Sequence, residues 1–125
     1  GEVMRVEHWE NALDQGAHAA RRLLAGDGPA ERFEPVPWFW SDQYDLKLQF
    51  VGLSADNQQV VVRGDPESRS FAAFYLDDGR LSAVYAINSP REFMLSKKLI
   101  ASGARPDRKV LRDMSIPFKD IAESL

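Results

Sequence analysis

Residues 9–25, WENALDQGAHAARRLLA, carry small or apolar side chains at 12, 13, 16, 17, 20, 23 and 24. That spacing predicts a helix, and GDGP at 26–29 stops it with a glycine just past the last turn. Gly16, inside the helix, costs about 1 kcal/mol relative to alanine. The stripe Ala12, Gly16, Ala19, Ala20 offsets this by letting a neighbour approach closely, whether a strand, a helix or a cofactor. AERFEPVP (30–37) reads as a linker, and beyond it the period changes to two. DLKLQFVGL (45–53) alternates Leu46, Leu48 and Phe50 with Lys47 and Gln49, and QQVVVRG (58–64) is a second strand. GDPES (64–68) makes a turn, after which SFAAFYL (70–76) and RLSAVYAI (80–87) flank the hairpin signal DDG at 77–79.

The period then returns to that of a helix. SPRE (89–92) puts Ser89 at an N-cap, Pro90 at the first helical position and Glu92 three residues after the cap, the pattern of a capping box. This helix runs to about Ala101 and ends at Gly103; RPDRKVLRDM and SIPFKDIAESL supply two more short ones. The order is one helix, a linker, four strands and three helices. It predicts an α+β two-layer domain: a four- to five-stranded, mainly antiparallel sheet covered on one face by the C-terminal helices, with the first helix standing apart.

Composition changes this picture little. The 125 residues suit one domain, and 44% hydrophobic with 28% charged residues is near the globular average. The net charge of −3 gives no argument for nucleic acid. Its distribution matters more: residues 97–119 hold seven Lys/Arg against Asp107 and Asp113, a local +5, leaving nine basic against seventeen acidic residues elsewhere, −8. Such a segment is either a solvated helical face or a docking surface for an acidic protein. The absence of cysteine excludes a disulfide, a thiolate-held iron–sulfur cluster, a Cys zinc site or a redox dithiol in this chain, and His8 and His18 alone do not make a metal site. No apolar run approaches the roughly 20 residues of a membrane span and no signal peptide opens the chain, so the expectation is a soluble, cytoplasmic protein without membrane contact.

Two stretches stand out chemically. In PVPWFWSDQYD (35–45), an extended 36–40 would put Val36, Trp38 and Trp40 on one face and Phe39 on the other. The indoles are then either a pair of core rings or a stacking platform at a domain or partner boundary. RVEHW (5–9) leads into the first helix, whose N-terminal end favours an anion or an electron-rich ring; Glu7 and His8 there are equally a cap and surface decoration. G-x-S-x-G, Walker, G-x-G-x-x-G and Cys-nucleophile motifs are all missing.

RVEHWENALDQGAHAARRLLAG followed by PVPWFWSDQYDLKLQFVGL resembles the C-terminal region of the flavin-dependent ferredoxin reductases of Rieske dioxygenase and cytochrome P450 systems, distant relatives of apoptosis-inducing factor. The likeness spans the chain and is looser after residue 55. It implies a last helix of an FAD-binding domain at 1–26, a linker at 27–35 and a reductase C-terminal domain at 36–125, with the FAD- and NAD-binding domains preceding them. It further implies FAD and NAD(P)H in the full-length protein, none held by the fragment, and no turnover by the fragment alone. Electrons would pass from NAD(P)H through FAD to an acidic [2Fe-2S] ferredoxin. On the same resemblance, Glu7, His8, Trp9 and Trp38 lie near the nicotinamide and flavin, Trp40 and Phe39 form the electron-transfer interface, and Lys97, Lys98, Arg105, Arg108, Lys109 and Arg112 are candidates for ferredoxin docking. No catalytic acid or base is implied. The competing reading is a non-catalytic homodimerisation or protein-binding module of the same fold.

Overall fold

The computed structural model describes residues 4–29, 31–56 and 58–125; Gly1–Val3 of the N-terminal segment, Ala30 of the linker and Asn57 between two strands lie outside the described residues. The elements are α1 (Trp9–Ala25), β1 (Trp38–Gln43), β2 (Leu46–Gly52), β3 (Gln59–Asp65), β4 (Ser70–Asp77), β5 (Arg80–Ile87), α2 (Pro90–Ser102), α3 (Arg108–Arg112) and α4 (Phe118–Glu123). The strands form one antiparallel sheet in the order β1-β2-β5-β4-β3. The expected α+β architecture is present, and the aromatic stretch supplies its fifth strand.

That fifth strand exists because the chain reverses at Tyr44 and Asp45, where Tyr44 takes a left-handed φ of 56°. The expected DDG hairpin turns at Asp78 and Gly79, both with positive φ, as a tight turn matched to strand twist requires. After β2 the chain crosses to the far edge of the sheet. Leu53 N–H donates to the Ser82 carbonyl on the way, and Gln58 Nε2 donates to the Ser82 hydroxyl. Gly52 sits at the start of that crossing with φ 95°, where a Cβ would overlap the Ser82 carbonyl oxygen and lie 2.8 Å from Ala83 Cα.

The pleat sorts the sheet into two faces. The row Trp38, Val51, Val84, Phe74, Val61 faces α2–α4, whereas the next row, Phe39, Phe50, Tyr85, Ala73, Val62, faces away. Phe74, Val84, Val51 and Leu76 pack with Phe93, Leu99, Leu111, Phe118 and Ile121 into the core. Arg63 is buried in this apolar layer. Its guanidinium donates to the carbonyls of Leu111 (3.1 Å), Asp113 (2.7 Å) and Ile116 (2.6 Å) and lies 5.7 Å from the centre of the Phe118 ring. Its Nε faces the Glu92 carboxylate at 3.7 Å without a hydrogen bond.

Arg63 also explains where the capping box fails. Helix α2 begins at Pro90 after Ser89 and ends at Gly103 in the left-handed region, as the sequence predicts, but Ser89 makes no side-chain cap bond. Glu92 is turned toward Arg63 instead, because a buried guanidinium is the stronger electrostatic partner. Helix α1 meets the sheet at β1, where Trp9 packs against Trp40, and its Asn11 is buried and donates to the Val6 carbonyl (2.8 Å). Leu13, Leu23 and Leu24 are exposed and nothing lies within 4 Å of the Cβ position at Gly16.

Arg63→Met keeps the apolar stem but strands three carbonyls and the Glu92 carboxylate; we expect a loss of about 3 kcal/mol of stability in urea denaturation followed by circular dichroism. Gly52→Ala should lower stability by about 2 kcal/mol or more in the same measurement, since both φ and the Ser82 carbonyl oppose a side chain there.

Candidate functional site

Edge strand β1 places its alternate side chains on opposite faces. Trp38 and Trp40 therefore stand together on the helix side, stacked at 5.6 Å between centroids and 28° between planes. Trp38 leans on Phe93 of α2 at 6.0 Å, and Trp40 meets Trp9 of α1 edge-on at 6.3 Å. Trp38 is half-buried, while Trp40 is 46% and Trp9 70% exposed. Phe39, on the other face, touches His8 (4.9 Å) and Phe50 (5.1 Å), and the contacts continue through Tyr85 (4.4 Å from Phe50) to Tyr75 (5.3 Å from Tyr85).

Glu7, His8, Trp9 and Glu10 from the start of α1, with Trp38, Phe39 and Trp40 from β1, line one open, largely apolar concavity of about 720 Å³. Segments about thirty residues apart thus converge on one place. Among the described residues, two buried polar atoms at its wall, His8 Nδ1 and Glu10 Oε2, have no hydrogen-bond partner, and the His8 side chain does not cap the first turn of α1. Burial and the neighbouring Asp14 carboxylate push the Glu10 carboxyl up from its ordinary pKa, against the opposing pull of the Trp38 backbone and of Lys97. Lys97 of α2 lays its ammonium 3.7 Å from the centre of the Trp38 ring and 4.7 Å from that of Phe93. Burial lowers the Lys97 pKa, and Glu10 partly restores it. The wall combines stacked indoles, a cation held on one indole face and a helix end with unsatisfied donors. It can seat a flat, electron-rich group and shield it from water.

The six basic residues named from the sequence do not form one surface. Lys97 belongs to the aromatic wall and Lys98, beside it on α2, is exposed. Arg105 donates to the Asp78 carbonyl (2.6 Å) at the β4–β5 turn. Arg108 donates to Gln59 Oε1 (3.1 Å) and, with Lys109 and Arg112, borders a groove along β3. Strand β3 is the edge opposite β1, four strand spacings or about 19 Å away. Among the described residues no group of three or more His, Cys, Asp or Glu could hold a metal ion, and no helix is long and apolar enough to cross a membrane.

Sequence reasoning missed Glu10, Arg63 and the perch of Lys97. Arg63 had a signal, because it shares a strand face with Val61 and an arginine at an inward position needs partners. Glu10 follows Trp9 directly and so lies in the same first turn, whereas the contact between Lys97 and Trp38 joins positions 59 residues apart.

Residues 38–122, from the first residue of β1 into α4, match the family described as Reductase C-terminal. The chain is 40% identical over 121 residues to the 5,5'-dehydrodivanillate O-demethylase ferredoxin reductase subunit of Sphingobium sp. (strain NBRC 103272 / SYK-6), covering 97% of this chain and 29% of that protein. It is 41% identical over 118 residues to putidaredoxin reductase of Pseudomonas putida, covering 94% and 27%. The solved ferredoxin reductase for the CYP199A2 system from Rhodopseudomonas palustris superposes with a TM-score of 0.87 at 39% identity, covering 98% of this chain and 30% of that one. A covalent putidaredoxin reductase–putidaredoxin complex gives 0.85 at 40% identity, covering 97% and 28%. The chain thus spans less than a third of the length of these relatives. With the whole sheet inside the matched residues and about two in five positions identical, the chain belongs to the reductase C-terminal family.

Proposed function

We propose that this chain forms one wall of the flavin site of an NAD(P)H-dependent ferredoxin reductase, together with part of the surface on which a [2Fe-2S] ferredoxin docks. The observation that carries the reading is the meeting of Glu7, His8 and Trp9 with Trp38, Phe39 and Trp40 around one concavity. The residues fit a flavin: the aromatic wall suits a planar ring, and the uncapped end of α1 and the orphaned His8 Nδ1 and Glu10 Oε2 suit its polar margin. FAD, when bound, supplies the conversion of a hydride into single electrons.

The chain's own part is positional and electrostatic. Trp38, wedged against Phe93 and covered by the Lys97 ammonium, is a fixed, water-excluding surface. The N-terminal end of α1 offers partial positive charge where negative charge collects on reduction. Trp40, half-exposed at the outer end of the stack, faces the approaching ferredoxin, and Lys97 and Lys98 steer its acidic surface. The α3 cations lie at the opposite sheet edge and form a separate basic surface. The bare face of α1, with Leu13, Leu23, Leu24 and the Gly16 stripe, is covered in this reading by FAD- and NAD-binding domains of a longer chain. The same bare face favours a second reading, a non-catalytic homodimer or protein-binding module; light scattering separates the two, since a monomer that gains affinity for ferredoxin at low salt supports the first.

In the chain joined to flavin- and nicotinamide-binding domains, Trp40→Ala should slow ferredoxin reduction about tenfold or more while flavin reduction by NAD(P)H is unchanged in stopped-flow absorbance. An unchanged ferredoxin rate removes Trp40 from the route. Lys97→Met, which keeps the stem on Trp38 but removes the charge, should weaken ferredoxin binding several-fold and flatten its salt dependence, again with flavin reduction unaffected.

A further inference from the structure

The groove between α3 and the outer edge of β3 lies across the sheet from the aromatic wall and plays no part in the function proposed above. It is about 430 Å³ in volume, bordered by Gln59, Val60 and Val61 of β3 and by Arg108, Lys109 and Arg112 of α3. Two properties coincide there. Strand β3 pairs with β4 on one side only, and no backbone hydrogen bond from another described segment reaches Gln59–Gly64 on the other. Its free edge therefore offers the alternating donors and acceptors of an incomplete sheet. The three cations have no carboxylate within 4.0 Å among the described residues. Arg108 and Arg112 are four residues apart on one helix face, and Gln59 Oε1 holds the Arg108 guanidinium beside the strand. Asp113, which lines the groove, is engaged by the Ser115 amide (2.9 Å) and hydroxyl (2.6 Å), and Asp107 accepts from the Lys109 and Val110 amides as the α3 cap.

An exposed strand edge invites another strand, and a row of cations in excess over the one capping carboxylate of Asp107 beside Arg108 and Lys109 selects which strand. Val60 and Val62, 45% and 36% exposed on the helix-free face beside that edge, add apolar surface for alternate side chains of an incoming segment. A second copy of this chain pairing edge to edge would bring two sets of α3 cations together, and that repulsion argues against it. We propose that the β3 edge and α3 form a docking groove for an extended, acidic polypeptide segment of a partner protein, which adds as a sixth strand outside β3. The segment's carboxylates pair with Arg108, Lys109 and Arg112 while its backbone completes the ladder. The aromatic wall stays open throughout, so one surface can tether a partner while the other is in use.

The test is a titration of the isotopically labelled 125-residue chain with a peptide alternating Glu and Val, read by amide NMR shifts and hydrogen exchange. The expected result is saturable binding at low salt, with shifts and new exchange protection at Gln59–Gly64. Affinity should fall at least about tenfold in the Arg108→Glu, Arg112→Glu double variant, whose fold is checked by its spectral dispersion. If that variant does not fold, Lys109→Glu alone should give a several-fold loss. No binding at low salt, or equal binding by a folded charge-reversed variant, overturns the proposal. So does equal binding of a Lys–Val peptide, or of the Glu–Val peptide N-methylated at alternate residues, which cannot pair as a strand. Inorganic phosphate shifting the same amides as strongly makes this a small-anion site, and self-association through β3 makes it a dimer edge; both overturn it.

Discussion

The two-residue alternation of β1 at the sheet edge is the constraint from which the aromatic wall follows. Trp38 and Trp40 can stack only because they are two apart on a pleated strand, and Phe39 must then point to the opposite face. One short strand thereby serves two surfaces. Its helix side carries the indoles against Phe93 and Lys97, and its other side carries Phe39 against His8 and Phe50. A slip of one residue in the β1–β2 register would exchange these faces and separate the indoles from Lys97. Pairing of all six β1 residues with β2, and the left-handed Tyr44 that closes the hairpin, guard against that slip.

Arg63 anchors the far side of the same sheet. It lies in the row that begins at Trp40 and runs through Gln49, Ala86 and Ala72. At the Trp40 end the row is open and aromatic; at the Arg63 end it is sealed by a guanidinium bonded to three carbonyls. Those carbonyls belong to the end of α3 and the loop before α4, where short helices leave acceptors unsatisfied. A buried charge in an apolar layer is costly unless it is well engaged, and here Nη1 and Nη2 together make three hydrogen bonds while Nε has none among the described residues. Glu92 stands opposite it, which ties the start of α2 to the same point.

Charge follows this division. The basic segment at 97–119 is continuous in sequence, yet α2 carries Lys97 to the β1 side and α3 carries Arg108, Lys109 and Arg112 to the β3 side. Screening over about 8–10 Å makes these separate electrostatic surfaces. The two edges of one sheet therefore present different chemistry: indoles with one partly buried ammonium on β1, and three cations without a close carboxylate partner among the described residues beside a free backbone edge on β3.

The periodicities and punctuation of the sequence determined which elements form: α1 and its stop at Gly26, the DDG turn, the start of α2 at Pro90 and its end at Gly103, and the two short helices after it. They also determined that Trp38 and Trp40 share a face. These properties are local, governed by backbone geometry and side-chain spacing over a few residues. Tertiary structure alone decided the rest. The neighbour of β5 across the sheet, the perch of Lys97 on Trp38, the turn of Glu92 away from its cap toward Arg63 and the splitting of the basic segment all join positions roughly thirty or more residues apart. Such contacts are set by which surfaces can be buried together, and a pattern of two or 3.6 residues carries no record of them.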